Sequence, residues 1–350
     1  MEERHCALEK MGLIRIVQKI KRRFSENKPS VAIKQMIYDF STRERKKHFG
    51  TDNPDKVIYI IRGYDYSSRF CIAPKHNLLA NYFYVVSHMF YAESKGWYPV
   101  IDQQNYPVYN SMDYPINGTM NAWEYYWKQP HNISLEEAYK SKNVVLSRQN
   151  FLSQWDLGYA VENYYDKQRI LEFNKICRLA PLNDVIKKQV DEAKALFPQD
   201  KKILGVNVRL GAHSVHSEIH GLGHPIQPEV DELIGIIKEK EKEWNTDLVF
   251  LASDTEYAVK LFKDSFGDRL VTYQRKRAEL GKEFKDDPEK EMYKKSNLYQ
   301  TTLDYLIEME LLACCDSLIG SVTSGFRYAV VQNGGQYSNI EVIDCGTFDK

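Results

Sequence analysis

Residues 202–225, KILGVNVRLGAHSVHSEIHGLGHP, hold the densest set of side chains able to do chemistry. The apolar run Ile203–Val208 leads straight into Arg209. A loop with His213, His216, His220, His224 and one carboxylate, Glu218, follows. A short buried strand that ends on arginine delivers a permanent cation to the carboxyl edge of a sheet, where ligands bind in open α/β folds. The planar guanidinium fork suits two phosphate oxygens at once. Two other strand ends add to it. Asp254 closes the segment FLASD, and Thr323-Ser324-Gly325 opens a helix-like stretch that contains Arg327. A helix start of that kind offers free N–H groups, hydroxyls and the positive end of the helix dipole to an anion. Combined in one sheet, these signals point to a nucleoside-diphosphate ligand.

Moving a sugar from a nucleotide requires stabilisation of a diphosphate leaving group and a base for the acceptor hydroxyl. Metal-dependent transferases commonly hold Mg²⁺ or Mn²⁺ through Asp-x-Asp, and no such triplet occurs in this chain. Arg209 and the helix terminus would carry that load, with Glu218 or His213 as the base. The four loop histidines offer a rival chemistry, Zn²⁺ binding in a metal-dependent hydrolase. However, H-S-E-I-H is not the H-E-x-x-H arrangement, and Gly221 and Gly223 interrupt a helix there. A non-catalytic nucleotide-sugar module would keep the fold and lose the base; Glu218 argues against it.

The elements that position these residues read as alternating strands and helices. Expected strands are Ile203–Leu210, Leu248–Ser253, Leu270–Gln274, Leu318–Val322 and Ile340–Asp344. Expected helices between them are Pro228–Trp244, Tyr257–Phe266, Leu298–Cys314 and Ser324–Val331. That rhythm predicts a doubly wound parallel sheet over residues 181–350. Residues 56–180 read as a second α/β unit. It has a strand at Lys56–Tyr66, a helix at Asn77–Lys95, a strand at Tyr98–Asp102, a strand at Lys142–Leu146 and a helix at Trp155–Asn174. A helical segment, Ala180–Pro198, leads into the second unit. The aromatics Trp97, Tyr106, Tyr109, Tyr114, Trp123, Tyr125, Tyr126 and Trp127 either stack on an acceptor sugar or fill an irregular core. Residues 1–55 read as a basic amphipathic helix, Met11–Phe24, suited to peripheral contact with an anionic membrane or to docking on its own protein, followed by a charged linker. Residues 275–296, with twelve charged side chains between Lys276 and Lys294, read as a mobile solvated loop.

Equal numbers of basic and acidic residues, 48 each, give no field that would recruit nucleic acid. Six cysteines without C-x-x-C spacing and the lack of a secretory pattern suggest reduced thiols and a cytoplasmic setting.

The segments GVNVR…HPI, FLASD and SVTSGFR, in that order, resemble the C-terminal domain of the α1,6-fucosyltransferases. Those enzymes share a superfamily with the nodulation fucosyltransferases and the protein O-fucosyltransferases. The resemblance spans about residues 200–335. It implies a GT-B glycosyltransferase, two Rossmann-like domains facing each other across a cleft, that inverts the anomeric centre, needs no metal and uses GDP-fucose. A glycan acceptor, as in bacterial-type surface polysaccharide or lipid-linked oligosaccharide, follows from the same reading; another GDP-sugar or NDP-sugar donor is the alternative. Position by position, Arg209 would neutralise the diphosphate, Asp254 would hold the guanine edge and Thr323, Ser324 and Gly325 would cradle phosphate. Arg327 and His224 would also line the donor site. The chain departs from the pattern in three places. Asn207 stands where the family often has His, Leu210 stands where a second Arg is usual, and Glu218 lies six residues before His224 where the α1,6 enzymes place their carboxylate four before.

Overall fold

A computed structural model describes residues 29–71, 77–104, 115–210, 225–278 and 298–348. The expected helix 11–24, the loop residues His213, Glu218 and His224, and the aromatics Tyr106, Tyr109 and Tyr114 lie outside the described residues.

Helix α1 (Pro29–Ser41) precedes the segment Ser41–Lys56 expected to be a linker, and the short strand β1 (Arg45–Lys47) lies within that segment. Strand β2 (Ile58–Arg62) is apolar and almost entirely buried. Helix α2 (Leu78–Ser94) starts where the Asn77 side chain accepts from the Ala80 N–H at 2.8 Å. It buries residues on nearly all sides, so it reads as a core helix and not as an amphipathic surface one. Strand β3 (Tyr98–Asp102), the single turn α3 (Leu135–Ala138) and strand β4 (Val144–Leu146) complete the first sheet. Its order is β1-β4-β2-β3, with β2 parallel to both β3 and β4 and β1 antiparallel at the edge.

The helix expected over Trp155–Asn174 begins later. Helix α4 (Lys167–Cys177) starts at the N-cap Asp166, whose side chain accepts from the Arg169 N–H at 3.0 Å; the chain before it turns at Gly158, φ +76°. Helix α5 (Asp184–Ala193) follows, capped by Asn183.

Strand β5 (Ile203–Val208) is buried along its whole length, as the middle strand of a parallel sheet must be. Helix α6 (Val230–Glu243), strand β6 (Leu248–Ser253), helix α7 (Glu256–Phe266), strand β7 (Leu270–Thr272), helix α8 (Leu298–Ala313), strand β8 (Ser317–Gly320), helix α9 (Ser324–Asn333) and strand β9 (Asn339–Val342) follow. The five strands are parallel in the order β7-β6-β5-β8-β9. Strand order reverses between β5 and β8, which is the switch point where such sheets open a crevice.

The expected boundary at 180/181 falls between helices that pack the same way. Asn174 of α4 donates to the Val331 carbonyl of α9 at 2.7 Å, and Tyr82 of α2 meets Tyr328 of α9 edge-on at 5.0 Å. One core cluster therefore runs from α2 through Trp123, Tyr125, Tyr126 and Trp127 to α8 and α9. Those four aromatics are 0–2 % exposed and fill the core between the sheets. Each such side chain buried is worth on the order of 2–3 kcal/mol. Among the described residues, no helix is long and apolar enough to cross a membrane.

Candidate functional site

The carboxyl edge of the second sheet brings most of the described candidate residues together. Val208 and Ser253 are register partners on β5 and β6, so Arg209 and Asp254, one residue further on, emerge side by side. Arg209 Nη1 donates to Asp254 Oδ2 at 3.1 Å, and the Leu210 N–H donates to Asp254 Oδ1 at 2.9 Å. The arginine side chain keeps 23 % of its surface exposed and the carboxylate 11 %. A pair of this kind fixes the guanidinium at the sheet edge with little rotamer freedom left to lose, and leaves it reachable by an anion.

On the other side of β5, Asn207 and Thr323 join across the switch point. The Thr323 hydroxyl donates to Asn207 Oδ1 at 2.8 Å and accepts from the Phe326 N–H at 3.1 Å, which makes it the N-cap of α9. The Thr323 hydroxyl is thus occupied by structure, and Ser324 and Gly325 form the first turn of α9, with Gly325 buried. Gly325 is required by packing. A Cβ there would come within 2.6 Å of Met309 Sδ and 2.8 Å of the Tyr305 hydroxyl on α8.

Arg327, expected to line the donor site, is buried in the core beside the first half. Its side chain is 3 % exposed, bonds to Asp156 and lies under two rings, with its guanidinium carbon 4.2 Å from the Phe83 centroid and 4.8 Å from that of Tyr159. Burial opposes its charge, yet Tyr164 and Asp156 hold its ionisation above the ordinary arginine value. Helix α9 places residue 327 one turn below its start, where it meets Phe83 of α2 and Tyr159.

Two arginines beside the edge were missed by the sequence reading. The segment expected to be a solvated loop is packed at residues 275–278, where Arg277 is 7 % exposed. Arg275 Nε donates to Glu308 Oε2 at 2.9 Å, and Arg277 Nη2 donates to Glu308 Oε1 at 2.8 Å. Both also reach the Ser253 carbonyl at the end of β6, at 2.7 and 3.1 Å. The Ala278 N–H then donates to the Asp254 carbonyl at 2.9 Å. A fully buried carboxylate with two guanidiniums leaves a net positive charge under the strand end that carries Asp254. The signal for it was Glu308, which with Glu310 interrupts the apolar run Leu306–Leu312 of α8 and calls for a buried partner.

The first sheet has its own crevice at the β2–β4 switch. A cleft of about 560 Å³ is lined by Arg62, Tyr64, Tyr66, Asp102, Gln103 and Tyr139, among others. Arg62 donates to the Ser147 carbonyl, and its Nε finds no partner among the described residues; burial pulls its ionisation down. The Tyr139 hydroxyl donates to Asp102 Oδ2 at 2.6 Å, and its pKa is pushed up by burial and then by that carboxylate. Tyrosine faces beside Asp, Gln and Arg are a lining suited to a polyhydroxylated ring. A second depression of about 460 Å³ is formed only by charged side chains along α5 and has no such chemistry.

The fold and these edges define an α/β protein with two parallel-strand crevices, one of them carrying the paired Arg209 and Asp254. No protein-family model matches the chain, and no curated protein matches its sequence. Among solved structures it is similar to NodZ α-1,6-fucosyltransferase soaked with GDP-fucose, at a TM-score of 0.43 and 14 % identity over 79 % of this chain and 92 % of that one. It is similar to fucosyltransferase NodZ from Bradyrhizobium, at 0.42 and 14 % over 78 % and 91 %. It is also similar to POFUT1 in complex with GDP, at 0.45 and 9 % over 84 % and 99 %.

Proposed function

We propose that the chain is a metal-independent, inverting glycosyltransferase that moves fucose from GDP-fucose to a glycan acceptor, with the halves 56–180 and 181–350 acting as the acceptor and donor sides of a GT-B arrangement. The observation that carries this reading is Arg209, fixed by Asp254 at the switch-point edge beside the first turn of α9. In the reaction the acceptor hydroxyl oxygen bonds to the anomeric carbon, and the bond from that carbon to the β-phosphate oxygen breaks. The electron pair leaves with GDP, where Arg209 and the N–H groups of Ser324 and Gly325 meet the growing charge. The hydroxyl proton goes to Glu218 or His213 in the loop that follows Arg209 in sequence. Asp254 accepts from the donor edge of guanine while holding Arg209, Asn207 and Thr323 keep β5 and α9 in register, and His224 lines the donor site. Arg327 supports α9 and does not touch the donor. The cleft at Arg62 and Asp102 receives the acceptor sugar.

A thermal-shift panel with GDP, UDP, CMP and dTDP, each with and without EDTA, tests the reading. Ligand at 100 times its Kd adds about 2.7 kcal/mol to the native state. GDP alone should raise the melting temperature, and EDTA should leave the rise unchanged. Equal stabilisation by UDP would remove the guanine assignment, and loss of the effect in EDTA would bring back a metal.

A further inference from the structure

Helix α1 is an exception to the rule that a protein helix turns its apolar stripe inward. Ile33, Met36, Ile37 and Phe40 are 51, 66, 38 and 68 % exposed. Their i, i+3, i+4, i+7 spacing puts them within an arc of about 100° on the helix surface. Tyr38, about 150° from the centre of that arc, is 1 % exposed and anchors the helix: its hydroxyl accepts from the Asp65 N–H at 2.9 Å. Asp39 is turned to the protein as well, accepting from Asn150 at 2.7 Å and from Gln35 at 2.5 Å. The helix is therefore held by its polar and tyrosine side, with its apolar side outward.

Cations rim that face. Lys34 is exposed on the helix, and at its carboxyl end the Arg43 guanidinium lies 4.0 Å from the Phe40 ring centroid. Arg45 donates to the Ser41 carbonyl at 2.9 Å, and Lys46 and Lys47 continue the exposed edge strand β1. Glu44 is the one exposed acid between Ala32 and Gly50. Upstream, the sequence of residues 11–24 repeats the same composition of aliphatic and basic residues.

The geometry points to α1 as a membrane-docking face: Ile33, Met36, Ile37 and Phe40 enter the acyl boundary of an anionic bilayer while Lys34, Arg43 and Arg45 meet lipid phosphates. An apolar stripe with a basic rim is the combination that interfacial helices use, and neither part alone gives firm attachment. A second copy of the chain would bury the stripe but would set the basic rims against each other, whereas anionic lipid satisfies both. The docking does not depend on the donor site of the transferase reading, because none of these residues lies at the carboxyl edge of the second sheet; Arg45 pairs with Leu146 of β4 in the first.

Sedimentation of the full chain with vesicles of phosphatidylcholine, alone or mixed with phosphatidylglycerol, tests this. The chain should sediment with the mixed vesicles and stay in solution with phosphatidylcholine alone. Met36→Glu combined with Phe40→Glu should lower partitioning at least tenfold with an unchanged melting temperature, since both side chains already face solvent. If that variant loses stability, Arg43→Glu combined with Arg45→Glu should give the same loss. Wild-type protein that stays in solution with both vesicle types would overturn the proposal. A double variant that sediments like wild type would also overturn it and place the contact elsewhere. So would a lipid-free dimer that the double variant dissociates.

Discussion

Arg209 and Asp254 meet across the carboxyl ends of β5 and β6, Nη1 to Oδ2 at 3.1 Å, while the other carboxylate oxygen takes the Leu210 N–H at 2.9 Å. One side chain thereby fixes both the cation and the first peptide of the loop that follows it. Its own position is held from below, where the Ala278 N–H bonds to the Asp254 carbonyl and Arg275 and Arg277 grip the Ser253 carbonyl. These bonds tie the ends of β5 and β6 to one another and to the segment 275–278.

Asp254→Asn separates holding from recognition. The amide still accepts from Leu210 but meets both Arg209 and the guanine edge without charge. Hydrogen bonds to charged groups contribute about 1.5–3 kcal/mol, so GDP affinity measured by calorimetry should fall by tenfold or more. Unchanged GDP affinity with a lower melting temperature would show that Asp254 serves Arg209 alone.

Arg327→Met should act on stability and not on the donor. It leaves Asp156 buried without its partner, and breaking a buried pair in this way costs about 3–5 kcal/mol. Denaturant unfolding should show that loss, with GDP affinity within twofold of wild type where the protein is folded. A selective loss of GDP binding would return Arg327 to the donor site.

His88 gives the first half a pH signature. Burial pushes its pKa from 6.5 down to about 3. The ring is fully occupied as the neutral form, with Tyr59 OH 2.9 Å from Nδ1 and the Asn150 carbonyl 3.0 Å from Nε2. Below about pH 6.5 the unfolded chain binds a proton that the folded chain refuses, so stability is present above that pH and is lost as pH falls towards 3. The slope is about 1.4 kcal/mol per pH unit for one proton. His88→Gln should remove that increment from the wild-type slope between pH 6.5 and 4.5. Parallel wild-type and variant profiles would refute a neutral His88.

Much of this was legible in the chain because parallel strands announce themselves. Leu248–Ser253 and Tyr98–Asp102 are apolar runs whose ends coincide with the observed strands, and Asn77 and Thr323 cap helices as their types suggest. Tertiary pairing was not legible. Nothing in the segment from Arg275 marks it as a buried clamp until Glu308, far along the sequence, is brought beneath it. The direction of Arg327 depends on where Asp156 lies, which is fixed by the irregular chain before α4. Helix α1 was not read from the sequence, because its apolar residues Ile33, Met36, Ile37 and Phe40 face away from the core that would reveal them as a helix face.

The central claim is that Arg209 stabilises the leaving diphosphate, and turnover of GDP-fucose by Arg209→Ala tests it most directly. Charge grows on the β-phosphate as the glycosidic bond breaks, so the contact should strengthen in the transition state more than in the ground state. Loss of one preorganised donor costs about 2.7–4 kcal/mol, or about 10²–10³ in rate. Fucose release or transfer, followed well below the melting temperature, should fall by that factor with a smaller loss in donor affinity. Arg209→Lys should recover only part of it, because an ammonium cannot present the fork. Activity of Arg209→Ala within a few-fold of wild type, together with a lowered melting temperature, would show instead that the arginine only secures Asp254 and the loop.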